Sequence, residues 1–235
     1  MSNQSLIIGD VEPFSIVDFP NHISIVAFLQ GCPWRCPFCY NQSLQPLRLE
    51  KGSIWTKEKF FTFLERRKGL ADAVVFSGGE PLLQQGLYDA IKKAKEMGYT
   101  TGLHTGGYNP SALKEVLPLL DWTGFDIKGP EAKYKALTGG FAVFSEVKKS
   151  LKLLVESGIH FECRTTCDPR ELTEDDLFEV GTFLREMGVK EYYLPKYRPI
   201  QSDKTTTDSA IEALISDPKL LSFLSQSFEK FDIRR

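Results

Sequence analysis

Short runs rich in β-branched and aromatic residues recur along the chain, separated by longer stretches of helical periodicity. The first is His22–Leu29, whose second half, Ile25–Leu29, is continuously apolar. That pattern predicts a strand buried on both faces. Further strands are predicted at Ala73–Phe76, Thr100–His104, Trp122–Ile127, His160–Thr166 and Glu191–Leu194. Between them, Thr56 is placed to cap a helix running to about Arg67, with Phe60, Phe61 and Leu64 on one face. Other helices are predicted from about Leu87 to Met97, after the Asn109–Pro110 pair, over Ser145–Glu156 and over Thr173–Met187. The tail from Thr207 reads as helical, with a break near Asp217–Pro218.

One junction repeats. Lys95–Thr100, Val155–His160 and Arg185–Lys190 each run from a helix end through a glycine into a strand. Glycine suits the left-handed position that closes a helix. Strands alternating with helices predict βα units and a parallel sheet. About six units suit an open, partial α/β barrel better than a closed eightfold one. Nothing in the composition marks a linker, so residues 1–235 are expected to form a single domain. Residues 1–21 would be an N-terminal extension, and residues from about 200 to 235 a helical tail.

Composition narrows the class. The 235 residues are 42% hydrophobic and 26% charged, with a formal net charge of -2. A large core can form, and a near-neutral surface gives no reason to expect a nucleic-acid partner. Ile25–Leu29 is far too short to span a membrane. The opening Met1–Ser5 lacks a basic segment leading into a long apolar run. The expected compartment is therefore the cytoplasm.

Five cysteines are present: Cys32, Cys36 and Cys39 close together, then Cys163 and Cys167. An odd number without a leader argues for metal or redox chemistry rather than a disulfide framework. Cys32, Cys36 and Cys39 are spaced C-x3-C-x2-C just beyond the first strand, where ligand loops of α/β folds belong. Three thiolates can hold three irons of a [4Fe–4S] cube and leave the fourth iron open to a ligand. Structural zinc is an alternative; it requires a fourth ligand, which His22, His104 or His160 would have to supply. Cys163 and Cys167 cannot hold a second cluster alone and read as packing residues.

Ser77–Gly78–Gly79–Glu80–Pro81 follows the next strand. Two glycines allow close backbone approach to a ligand, and the Glu80 carboxylate can accept from an ammonium group. A plain strand-to-helix turn explains this segment equally well. Asp126 and Lys128, two positions apart on a strand, point the same way, as a catalytic pair or as a salt-bridged strand end. Arg164 is a candidate for a carboxylate or ribose, or a structural ion pair.

The cysteine spacing with Phe38 as its aromatic resembles the signature of radical S-adenosylmethionine (SAM) enzymes, and Ser77–Glu80 resembles their GGE motif. The resemblance implies an open-sided partial (β/α)6 barrel. It also implies a [4Fe–4S] cluster on Cys32, Cys36 and Cys39, with SAM held by its amino group at Ser77, Gly78, Gly79 and Glu80. The cluster would cleave SAM to methionine and a 5′-deoxyadenosyl radical.

Within that superfamily the chain resembles activases of glycyl-radical enzymes, and most the long form that activates anaerobic ribonucleoside-triphosphate reductase. Val17–Pro20, Val74–Pro81, Gly102–Thr105, Leu117–Trp122 and Arg164–Thr166 carry that likeness. It implies that Asp126, Lys128 and Thr105 lie near SAM and the peptide substrate, that Arg164 meets the SAM carboxylate or ribose, and that Tyr197 stands near the adenosine. The expected partners are a glycyl-radical enzyme and an electron donor such as flavodoxin or ferredoxin. An open barrel would admit a peptide loop from the side. His104 and Asn21 stand where the activases carry an acidic residue and a glycine. Two alternatives remain: a radical SAM enzyme acting on a small molecule, such as a 7-carboxy-7-deazaguanine synthase, and a zinc-binding module without enzymatic activity.

Overall fold

The computed structural model describes residues 6–48, 54–141 and 143–234. Met1–Ser5, which bears on the leader expectation, lies outside them. The strands are β1 Ile8–Ser15, β2 Ser24–Leu29, β3 Ala73–Gly78, β4 Thr100–Thr105, β5 Trp122–Asp126, β6 His160–Arg164, β7 Glu191–Pro195 and β8 Lys230–Arg234. They follow one another in the sheet in chain order, with β1 and β8 as its two ends. Strands in chain order are the winding of a (β/α) barrel rather than of a doubly wound sheet.

By its contacts the chain divides into two compact units. The first comprises Met1–Pro33, Asn41–Gly124 and Glu146–His160. Here β2, β3 and β4 are parallel, with Ser24 opposite Ala73 and Leu29 opposite Gly78, then Ala73 opposite Thr100 and Phe76 opposite Leu103. Ile25, Val26, Ala27 and Ala73–Phe76 are fully buried, which accounts for their unbroken apolar runs. Thr56 caps the helix Lys57–Arg67, its Oγ1 accepting from the Lys59 N–H at 3.2 Å, and Phe60, Phe61 and Leu64 face inward. The helix Leu87–Glu96 buries Leu87, Ala90, Ile91 and Ala94 and closes at Gly98, which has φ +93. Asn109 caps Pro110–Val116 through its side-chain oxygen.

β1 was not foreseen. It pairs antiparallel with β2, and only Ile8, Val11 and Ser15 of its residues are buried. A mostly exposed strand containing Pro13 gives a weak periodic signal, and proline is tolerated there because the strand lies at the sheet edge. The turn into β2 explains Asn21. It is the one non-glycine residue with positive φ, at 61°, among the described residues. Asparagine is the side chain that best replaces glycine in that region. Phe19, just before it, packs into a cluster with Val26, Ala73, Val75 and Trp122.

The second unit comprises Trp34–Tyr40, Phe125–Ser145 and Phe161–Arg235. Here β6 and β7 are parallel, Cys163 opposite Tyr192 and Arg164 opposite Tyr193. β8 extends them, also parallel, with Glu191 opposite Lys230 and Pro195 opposite Arg234. A full capping box at Thr173 and Asp176 starts the helix Glu174–Glu186. Two elements differ from expectation. The helix Glu131–Leu137 was not foreseen. The tail holds the expected helices Asp208–Ile215 and Pro218–Ser227, broken at Asp217, but it ends in β8 rather than in helix. Among the described residues, no helix is long and apolar enough to cross a membrane.

Candidate functional site

The first unit carries Cys32 and the glycine-rich turn. The backbone leading to Cys32 is hydrogen-bonded on two sides. The Gly31 N–H donates to the Leu44 carbonyl at 2.7 Å and the Cys32 N–H to the Gln45 carbonyl at 3.1 Å. On the other side, the Gly79 N–H donates to the Leu29 carbonyl and the Glu80 N–H to the Gly31 carbonyl, both at 2.9 Å. No side chain fits between these segments. A Cβ on Gly79 would lie 2.2 Å from the Gly31 carbonyl oxygen, and one on Gly78 (φ +118) would lie 2.3 Å from the Leu29 nitrogen.

Glu80 is buried, 2% exposed. One carboxylate oxygen accepts from the Thr105 hydroxyl at 2.5 Å and from the Leu82 N–H at 3.1 Å. The other accepts from the Gly106 N–H at 2.9 Å. Thr105 and Glu80, two of the residues expected at the site, are thus in direct contact. Ser77 Oγ stands 3.4 Å from Nδ1 of His104, whose Nε2 is 2.9 Å from the Asp18 carbonyl. His104 is therefore part of a hydrogen-bonded array with the segment before β2.

The second unit carries Cys36 and Cys39. The Cys39 N–H donates to the Cys36 carbonyl at 3.2 Å, closing a turn, and the Arg35 N–H donates to the Thr138 carbonyl at 3.0 Å. The unforeseen helix thus supports the cysteine loop through its C-terminal end. Phe38 between the two thiols is buried. Burial pushes the Cys36 thiol up to about 11, against the opposing pull of Lys128, while Cys39 and Asp126 reinforce it.

Asp126 joins two cations in the same unit. Its Oδ2 accepts from Lys128 Nζ at 3.1 Å and its Oδ1 from Arg164 Nε at 2.9 Å. Burial disfavours the charge on Lys128, but the Asp126 carboxylate outweighs it and holds the ammonium above the ordinary lysine value. Tyr197 is buried at 1% exposure, and Arg170 and Asp203 bind its hydroxyl. Arg170 and Asp203 escaped the sequence reading, as did Tyr40, which stacks on Tyr197. The Asp168–Pro169–Arg170 turn after β6 was the one local signal available.

Cys32, Cys36 and Cys39 form no disulfide and are of intermediate exposure, the chemistry that iron ligation requires, whereas Cys163 and Cys167 form none and are buried. Among the described residues, no three His, Cys, Asp or Glu side chains are gathered to hold a single metal ion.

Comparison with known proteins bears on the identity. The model of the radical SAM superfamily matches residues 26–191. A protein of Methanocaldococcus jannaschii, provisionally named a glycyl-radical enzyme activating enzyme, is 30% identical over 203 residues, 83% of this chain and 81% of its own length. The pyruvate formate-lyase-activating enzyme of Clostridium pasteurianum is 37% identical over 138 residues, 56% of this chain and 57% of its own. The crystal structure of Streptococcus suis SuiB bound to its precursor peptide SuiA superposes with a TM-score of 0.70 at 13% identity, over 89% of this chain and 48% of SuiB. The chain spans about half the length of SuiB, and the likeness is one of fold. Enzymes of the matched superfamily use a [4Fe–4S] cluster and SAM. With residues 26–191 matched to its model, the chain belongs to the radical SAM superfamily.

Proposed function

We propose that this chain is a glycyl-radical-enzyme activase, with anaerobic ribonucleoside-triphosphate reductase as its partner and a flavodoxin or ferredoxin as its electron donor. The observation that carries the reading is the likeness, over 83% of the chain, to a protein named as such an activating enzyme. When bound, the cluster and SAM supply a 5′-deoxyadenosyl radical able to take a hydrogen atom from a glycine Cα of the partner.

The roles proposed for the chain's own residues follow from their chemistry. Cys32, Cys36 and Cys39 would hold three irons as thiolates. The backbone at Ser77–Gly79 and the Glu80 carboxylate would bind the SAM ammonium. Thr105 and the Gly106 N–H already orient that carboxylate, at 2.5 and 2.9 Å. Arg164 would meet an anionic group of SAM. Asp126 holds its guanidinium through Nε at 2.9 Å. Lys128, held charged by Asp126, would face the reacting end of the site together with that carboxylate.

The test is anaerobic reconstitution with iron and sulfide, followed by reduction, addition of SAM and chromatography for 5′-deoxyadenosine. The product is expected from the wild type and absent from Cys36→Ala. Added anaerobic ribonucleotide reductase should then show a glycyl-radical signal by electron paramagnetic resonance. A signal from pyruvate formate-lyase instead would reassign the partner. No 5′-deoxyadenosine from fully loaded protein would overturn the reading.

A further inference from the structure

Tyr40 follows Cys39 directly, and the structure ties it to a residue far along the chain. Its ring lies 6.3 Å from that of Tyr197, with the planes 20° apart. Its hydroxyl accepts from the Arg198 N–H at 2.8 Å. Tyr40 is 52% exposed, so burial alone does not hold it.

Tyr197 is anchored from behind. Arg170 Nη2 donates to its hydroxyl at 2.7 Å, and that hydroxyl donates to Asp203 Oδ2 at 3.0 Å. Arg170 is gripped by the buried Asp168 and also pairs with Asp203 at 3.1 Å. Asp203 is fixed in turn by the N–H groups of Thr205 and Thr206. A ring held at its hydroxyl by two charged partners offers a stiff face for a neighbour to stack on. All these residues belong to the second unit, with Cys36 and Cys39. Tyr197 also lies beyond residues 26–191, the stretch that the superfamily model matches.

We propose that Tyr40 and Tyr197 form a strut that fixes the Cys39 end of the cysteine loop. Tyr197 is then a positioning residue that acts through Tyr40 on the retention of the cluster. The inference rests on the cluster reading above and adds to it what keeps the third thiolate in place. A thiolate on a swinging loop re-forms its iron bond slowly after each opening, so loss of the strut should appear as faster loss of iron.

The experiment uses the reconstituted holoprotein and follows iron release to a colorimetric chelator. Electron paramagnetic resonance spectra of the reduced cluster and melting of the metal-free protein are recorded beside it. Tyr40→Ala is expected to release iron about fivefold faster, the rate equivalent of one aromatic pair. Tyr40→Phe, which keeps the stack, should fall between Tyr40→Ala and wild type. Tyr197→Phe should accelerate release in the wild-type background and add nothing in the Tyr40→Ala background. Non-additivity shows that the two rings act as one unit, and unchanged melting of the metal-free variants separates the strut from a merely structural contact. Unchanged release in Tyr40→Ala, or additive effects in the double variant, would overturn the strut. Failure of the wild type to take up iron and sulfide would instead overturn the cluster assignment, and the strut with it.

Discussion

Arg234 grips Glu162 through both carboxylate oxygens, Nη1 to Oε1 at 2.5 Å and Nη2 to Oε2 at 2.6 Å. Glu162 is 1% exposed, and the guanidinium also lies 3.9 Å above the Tyr193 ring. The last strand is thereby locked to β6 by a fork-shaped pair. Removing Arg234 leaves the buried Glu162 carboxylate without its fork-shaped partner, facing Arg164 Nη1 at 4.0 Å. Arg234→Ala is expected to cost about 3 kcal/mol, and Glu162→Gln in that background should recover part of the loss. Chemical denaturation of the two variants checks this. The loss should also draw Arg164 toward the same Glu162 oxygen, which lies 4.0 Å from its guanidinium. A cost near zero for Arg234→Ala would show that β8 is held by its backbone alone.

Glu80 offers a sharper test of the glycine-rich turn. Its two oxygens accept from three donors: the Thr105 hydroxyl, the Leu82 N–H and the Gly106 N–H. Glu80→Gln turns one acceptor into a donor that faces a backbone N–H. The expected cost is about 1–3 kcal/mol of stability. With Glu80 binding the SAM ammonium as proposed, the substitution should also weaken SAM binding to the holoprotein by about tenfold or more. Thr105→Val should cost less in both, because the two backbone donors remain. Calorimetric titration with SAM checks both variants, and unchanged affinity in Glu80→Gln would remove Glu80 from the SAM site.

Two glycines with no side chain to lose should respond differently to alanine. At Gly79 a methyl group would lie 2.2 Å from the Gly31 carbonyl oxygen. Gly79→Ala should cost about 3 kcal/mol or more and reduce the iron content after reconstitution. At Gly98 the methyl meets nothing within 4 Å, and the penalty is the positive φ of +93 alone. Gly98→Ala should cost about 1–2 kcal/mol and leave iron uptake normal. Melting curves and iron assays on the pair separate close approach from backbone strain.

The raised Cys36 thiol predicts a pH dependence of the metal-free protein. Burial lifts it from 9.0 to about 11. The folded state then holds this proton more tightly than the unfolded chain. The stabilisation is fully present below about pH 9, and it is lost as pH rises toward 11, at up to about 1.4 kcal/mol per unit. Urea titrations at about pH 8.5 and 10.5 should show a steeper fall for wild type than for Cys36→Ser. Equal slopes would refute the shift. Because ligation expels the same proton, iron uptake should quicken over this range.

What the sequence made legible was whatever lies close together along it. Thr56, Asn109 and Thr173 announce their helices because a cap and the N–H it satisfies are two or three residues apart. The cysteine loop and Gly78–Gly79–Glu80 are contiguous motifs. β1 and β8 were missed because exposed, charge-bearing end strands lack a buried face to impose alternation. The Tyr40–Arg198 bond spans 158 positions and the Glu162–Arg234 pair 72, so neither leaves a periodic trace. Conversely, the expected Trp122–Ile127 strand was one residue too long, although the Ile127 N–H still donates to the Arg164 carbonyl at 2.9 Å.

The stitching around Gly31 has a consequence for how this segment can change in length. Leu44 and Gln45 hold it from one side and Gly79 and Glu80 from the other, while the Gln30 amide donates to the Ser43 and Pro46 carbonyls. An insertion between Leu29 and Cys32 would break several of these bonds at once. Added or deleted residues can be absorbed only outside the stitched segment, after Pro46. The spacing of the first cysteine from its strand is therefore a fixed interval in this architecture.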